Sequence, residues 1–386
     1  MSEEDGNLVP LRPGREQSVG QPPPSESGIT DTSAVALSGG GYRAMLFHLG
    51  FLWRLRDAGI LQGIDRFSSV SGGSITAGML AAAWPSIDWN DDGSSFRRLV
   101  AGPIMELSGE SIDVIGALIG RIPGMGGTWV RRAYDKHLFK GKRLADLADR
   151  PRFIFNATSL HSGKLVRINQ DYFADWSTGR WDVGDMTVAT AVTASSAFPP
   201  VLSPIVVDLS GHRAIPTSGT IYKPPPKLFL VDGGVYDNLG IEPVWKRNRT
   251  IYVSDAGAQF DYSPDGAYLL TKQALRTTFI MQDQIGALRF RQMLQGFAAV
   301  SDAEHHRKGF LVSSDYFIQP RPSGGIEFSE PRARSIAATR TCLSKFAPEL
   351  SKQLVNWGYV ATDDRLRTGG HAASQCKLPY PECPLA

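Results

Sequence analysis

A serine held between a strand and a helix by small neighbours is a candidate nucleophile, and Ser69-Val70-Ser71-Gly72-Gly73 puts Ser71 in that position. In a nucleophile elbow, G-x-S-x-G, the turn is so tight that the residues two before and two after the serine must be small. Ser69 stands where the first glycine would be and keeps the volume small; Gly73 fills the last position. Ser69 and Ser74 fit less well as centres, because Phe67 lies two before the one and Thr76 two after the other. A second stretch, Gly39-Gly40-Gly41, can aim backbone N–H groups at a substrate, since glycine lets the chain approach closely and adopt positive φ. Fixed amides suit the negative charge that grows on a carbonyl oxygen during acyl transfer, where deleting one donor costs about 2.7 to 4 kcal/mol. Arg43 adds a cation beside that loop, suited to a phosphate ester near the scissile bond or to bracing the loop. A plainer reading stands beside this one: a Ser/Gly turn that cradles an anion at a helix N-terminus. A dinucleotide loop is disfavoured by spacing, because no third glycine completes G-x-G-x-x-G after Gly41.

These residues need elements to hold them, and the apolar pattern supplies them. Residues 34–37 form a short apolar run that ends at the glycine triplet, which predicts a buried strand. Over residues 42–58, Met45, Leu46, Leu49, Leu52, Trp53 and Leu55 recur at three- and four-residue spacing, with Gly59 as C-cap, which predicts a helix. The grammar repeats with a strand over 66–70, a sharp turn at Ser71 and a helix over 74–84. Strand, glycine turn and helix in succession predict parallel βαβ units. Further strands are predicted at 152–158, 164–169, 228–231 and 250–254, and helices near 268–300 and 331–357. Residues 1–32, rich in Pro, Gly, Ser and Glu, read as a flexible tail. Residues 33–386 then form a single α/β domain without internal repeats.

Ser38-Gly39-Gly40-Gly41-Tyr42-Arg43-Ala44-Met45, followed by Ser71-Gly72-Gly73-Ser74, resembles the patatin-like phospholipase superfamily, and within it the cytosolic phospholipase A branch. Ala194-Ser195-Ser196-Ala197-Phe198-Pro199-Pro200 resembles the family's small-residue segment before the last catalytic strand. Asp232-Gly233-Gly234, with Asn238 completing D-G-G-x-x-x-N, is similar to its third element; taken alone, that aspartate would read as an N-cap or Asx turn. The resemblance implies a three-layer α/β/α fold with a mainly parallel central sheet. It implies a catalytic pair of Ser71 and Asp232, with no histidine, and an oxyanion hole from Gly39, Gly40, Gly41 and Gly72. The implied activity is hydrolysis of fatty acyl esters of glycerophospholipids through an acyl-enzyme. An esterase for neutral lipids or small esters on the same fold, and a non-catalytic anion-binding protein, are the rivals. The resemblance also permits activation by a small nucleotide signal.

A Ser–Asp–His enzyme would need one of the later histidines. His305 and His306 sit in a charged run, His371 in a polar C-terminal segment, and His48 on the first helix, where packing or capping is the plainer role. With 41 Lys+Arg against 38 Asp+Glu, the chain has a formal charge of +3, too small to suggest a nucleic acid partner. Three cysteines, Cys342, Cys376 and Cys383, make no disulfide framework and fit a reducing compartment. No metal-ligand motif is present, so neither metal nor cofactor is expected. No stretch is long and apolar enough to span a bilayer, and acidic residues stand where a signal peptide would be basic. A cytoplasmic protein that meets its lipid transiently at the membrane surface is the expectation. Ile112, Val114, Ile115, Leu118, Ile119 and Ile122, followed by Trp129, Arg131 and Arg132, suggest an interfacial lid, with a core helix as the equal alternative.

Overall fold

The computed structural model describes residues 28–112, 125–257 apart from 201 and 218, 260, 270–370 apart from 302, 316 and 320, and 376–386. The proposed tail up to residue 27, most of the suggested lid and His371 lie outside the described residues. Eleven strands form one sheet: β1 (Thr30–Leu37), β2 (Arg66–Ser69), β3 (Arg152–Ser159), β4 (Leu165–Ile168), β5 (Tyr172–Asp175), β6 (Gly179–Asp182), β7 (Ile205–Asp208), β8 (Ala214–Ile215), β9 (Lys227–Asp232), β10 (Asn248–Asp255) and β11 (Lys308–Ser313). The expected parallel core is β11-β10-β1-β2-β3, and β4, β5, β6 and β8 extend it antiparallel. Short links between β3 and β6 leave no room for crossover helices, so only antiparallel pairing is open to them.

The strand β1 begins at Thr30, earlier than its apolar run, so residues 30–32 belong to the sheet and not to a tail. Polar bonds extend it: Thr30 Oγ1 donates to the Arg247 carbonyl at 2.9 Å, and Asn248 Nδ2 donates to Thr32 Oγ1 at 2.8 Å.

The helices that matter for the site are α1 (Gly41–Asp57), α2 (Gly72–Ala83), α3 (Met125–Tyr134), α4 (Val188–Ser195), α5 (Leu270–Ala298) and α6 (Pro348–Thr368). The large core lies between one face of the sheet and α1, α2 and α6, with Leu37, Phe67, Phe155, Leu52 and Trp357 buried in it. A smaller core lies on the other face, where Ala34, Ala36, Ile251 and Val253 meet Val244, Trp245 and, from α5, Met293. Helices on both faces of a sheet make the three layers.

Gly50 of α1 and Gly358 of α6 let these helices touch backbone to backbone. A Cβ on Gly50 would stand 1.9 Å from the Val355 carbonyl oxygen, and one on Gly358 2.0 Å from that of Phe47. A buried ion pair joins the same helices, Arg54 Nη2 to Asp363 Oδ1 at 2.9 Å, and Arg367 Nε donates to Asp363 Oδ2 at 2.7 Å. The helix expected over 331–357 is two, Glu330–Ala337 and α6, because the chain between them leaves the helical path to reach the glycine loop. There the Cys342 carbonyl accepts the N–H of Tyr42 at 2.9 Å. No disulfide joins the described cysteines; Cys376 Sγ instead donates to Asp363 Oδ1 at 3.1 Å.

Candidate active site

Register alone explains how Ser71 and Asp232 meet. Residues 152–155 of β3 pair with β2, residues 155–158 with β4 and residues 157–159 with β9. A strand has two edges, so β9 must share with β2 the edge that β4 does not occupy. The strand β2 is parallel to β3 and β9 antiparallel, hence the two run towards each other and stop nearly end to end. Ser69 pairs with Phe155 and Asp232 with Ala157, leaving Asn156 opposite the gap. Asn156 Nδ2 closes that gap with bonds to Ser68 Oγ at 2.8 Å and the Ser69 carbonyl at 3.0 Å.

Ser71 sits in the gap at φ 49° and ψ −117°, a conformation that L-residues rarely adopt and that costs on the order of 1–3 kcal/mol. The surroundings impose it. The Ser71 N–H donates to both the carbonyl and the Oγ of Ser195 at 3.2 Å. The same Ser195 carbonyl accepts the N–H of Gly233 at 3.3 Å, and the Ala197 carbonyl accepts that of Asp232 at 3.0 Å. The end of α4 therefore fastens the serine turn to the aspartate turn. Ser74 Oγ donates to Ser69 Oγ at 2.9 Å and lies 2.8 Å from Ser195 Oγ; since it has one proton, it accepts from Ser195. Ser69 Oγ in turn donates to the Ile154 carbonyl at 3.2 Å, which gives the hydroxyl at this position a partner that glycine would lack.

Asp232 is buried and accepts the Gly234 N–H on Oδ1 at 2.7 Å, with the Ser71 hydroxyl near enough to act on its charge. Burial disfavours its charged form and pushes its pKa up to about 7, against the opposing pull of the Gly234 N–H and the Ser71 hydroxyl. A carboxylate of that basicity, beside a serine turn, can take a proton near neutral pH.

The glycine loop faces this pair. Gly40 and Gly41 adopt φ 141° and 61°, and a Cβ on Gly72 would stand 2.2 Å from the Gly41 carbonyl oxygen. Gly41 and Gly72 are the first residues of α1 and α2, where N–H groups have no partner within the helix. With Gly40 they form a set of amides beside Ser71, each at the positive end of a helix or next to one. Gly39 differs from the expectation: its N–H donates to the Asn238 carbonyl at 3.0 Å and so secures the loop instead of facing a substrate. Arg43 is 4% exposed and points inward, its Nη1 donating to the carbonyls of Ala337 and Thr339 at 3.2 and 2.9 Å and its Nη2 to that of Ala256 at 2.8 Å. These backbone contacts brace the loop.

His48 is buried behind the loop. Its Nε2 lies 2.9 Å from the Ser38 carbonyl and must donate to it, so Nδ1 accepts from Ser254 Oγ at 2.8 Å. Burial holds its pKa down at about 3, and the ring is neutral at physiological pH. His306 Nδ1 bonds the Ala299 carbonyl at 2.9 Å, beyond the C-terminal end of α5. Trp129 on α3 is half-buried against the large core. Motif reading placed Ser74 and Ser195 in matched segments without a role and missed Asn156, because their roles depend on hydrogen bonds across strands.

Residues 35–245, more than half of the chain, match the family model described as patatin-like phospholipase. No curated protein matches by sequence. Among solved structures, the chain is similar to human GIVD cytosolic phospholipase A2, with a TM-score of 0.55 at 13% identity over 88% of this chain and 59% of that one. A second structure of that human protein, in complex with methyl gamma-linolenyl fluorophosphonate and terbium chloride, gives 0.51 at 15% identity over 88% and 58%. At such identities the likeness is one of fold, and the chain spans less than two thirds of the length of the human protein.

Proposed function

Because the chain belongs to the patatin-like phospholipase family, we propose that it is a serine acyl hydrolase, cleaving fatty acyl esters of glycerophospholipids at a membrane surface. The observation that carries this reading is the serine turn at Ser71 fastened by the Ser195 carbonyl to the turn of a buried carboxylate of raised pKa, Asp232, beside the Gly40, Gly41 and Gly72 amides. Asp232 takes the hydroxyl proton as Ser71 Oγ bonds to the ester carbonyl carbon, and the three amides hold the oxygen that becomes negative. The carbonyl re-forms and the C–O bond to the glycerol breaks; the leaving alkoxide takes the proton from Asp232 and departs as lysolipid. Water then gives a proton to Asp232 and attacks the acyl-serine. The fatty acid leaves, and the proton passes from Asp232 back to Ser71 Oγ. No histidine enters the scheme, which agrees with the neutral, buried His48.

A human cytosolic phospholipase A2 of the same fold has been solved with a fluorophosphonate, and that reagent class is the direct test. Labelling of the wild type, lost in Ser71→Ala, with lysolipid and free fatty acid seen by mass spectrometry and absent in Asp232→Asn, is the expected result. Labelling that persists in Ser71→Ala would refute the assignment. Release of fatty acid from neutral glycerides but not from phospholipids would move the substrate to the neutral-lipid class.

A further inference from the structure

We propose that the open face of the sheet and the outer side of α5 together form the surface that docks on an anionic lipid bilayer. Residues paired in register point to the same side of a sheet, which allows that face to be traced. Ala34 and Ala36 pair with Arg66 and Ser68, and these pair with Arg152 and Ile154. Thr158, on the same side of β3, pairs with Val231, and along β9 that side continues to Phe229, which pairs with Val206. Near β1 and β10 this face is covered by α5 through Met293 and Phe297. Further along it is bare, with Val206 49% and Phe229 39% exposed.

The helix α5, which covers the other end of this face, carries exposed apolar residues of its own. Ile280, Met281 and Leu288 are 46%, 54% and 59% exposed on it, and Phe279 stacks on Phe198 with ring centroids 5.7 Å apart. Phe198 follows Ala197, whose carbonyl holds the Asp232 amide, so α5 touches the segment that positions the acid. Apolar side chains exposed on several elements of one side mark an interaction surface.

Charge selects the occupant. Asp283 is the single acidic residue of α5, while Lys272 and Arg291 on it are exposed. The sheet face adds Arg66, Arg152, Arg167, Arg180 and Lys227 to its apolar end, against Asp182 and Asp208 on the same side and Asp171, which pairs with Arg152 at 2.6 Å. A twofold dimer through this side would set these cations against their own copies, which is repulsive. A bilayer with anionic headgroups accepts both the apolar and the basic groups. The value of this surface to catalysis rests on the hydrolase reading above; its existence does not.

Co-sedimentation with phosphatidylcholine vesicles, with and without phosphatidylglycerol, tests it in the full chain, with Ser71→Ala alongside and hydrolysis of a water-soluble short-chain ester as control. Wild type and S71A are expected to bind the anionic vesicles equally. I280Q/M281Q/L288Q and K272Q/R291Q should each bind about tenfold more weakly or worse with esterase rates unchanged. Undiminished vesicle binding by both multiple variants, or a wild type that ignores anionic vesicles, overturns the proposal. So does light scattering that shows a dimer which I280Q/M281Q/L288Q converts to monomers. Loss of esterase activity in the wild type alone would strike the hydrolase reading and leave the vesicle result standing.

Discussion

At the scale of single residues, the site rests on two unfavourable arrangements, a strained serine and a buried acid. Asp232 has a pKa pushed up to about 7 by burial. If its carboxylate is the base, kcat/KM on a soluble ester rises with pH through about 7 and falls below it. The same shift has a stability consequence. An acid whose folded pKa exceeds its ordinary value of 3.8 binds more protons folded than unfolded between the two values. Stability is therefore lost as pH rises through that window. Asp232→Asn keeps the acceptor for Gly234 and removes the charge. It is expected to be more stable than the wild type at pH 8, by an amount on the order of a few kcal/mol, with the gap closing towards pH 4. Equal melting temperatures at pH 8 would contradict the burial argument. Ser71 gives the second comparison: at φ 49°, glycine is relaxed and alanine is not. Ser71→Gly should be about 1 kcal/mol more stable than Ser71→Ala in urea unfolding, both being inactive.

At the scale of elements, the contact of α1 with α6 sets where the glycine loop stands, since α1 begins at Gly41. Gly358→Ala would drive a methyl group to 2.0 Å from the Phe47 carbonyl oxygen and force the helices apart. A loss of about 1–3 kcal/mol in thermal stability is expected, with a fall in esterase rate as the amides shift; unchanged values of both would show that the crossing tolerates the added volume. The first two strand–glycine–helix units were legible in the sequence because strong apolar runs and glycine punctuation agree there. The strands β5 to β8 were not, since they are two to four residues long and carry Arg180, Asp182 and Asp208 on a solvent-facing side. Nor was the break between Ala337 and Pro348, where apolar spacing continues but Cys342 is needed at the loop. Ser71, Asp232 and the glycine loop were named from motifs; the end of α4 that joins them through Ser195 could be found only in three dimensions.

At the scale of the molecule, the family segment and the folding unit differ. The matched residues stop at 245, yet β10 (Asn248–Asp255) lies between β1 and β11 in the middle of the parallel sheet. A chain ending at residue 245 would leave β1 with a bare edge and remove the partner of the Ser38 and Arg43 contacts. It is expected to be insoluble or aggregated by gel filtration, whereas a soluble, active fragment would show that the C-terminal third is dispensable. The head-on meeting of β2 and β9 carries a further consequence. The serine turn belongs to a unit that pairs early in the chain, whereas the acid arrives only when a much later strand settles on the far half of β3. A form in which β9 has not paired would hold the serine without the carboxylate, so the two stand together only once β3 carries both strands.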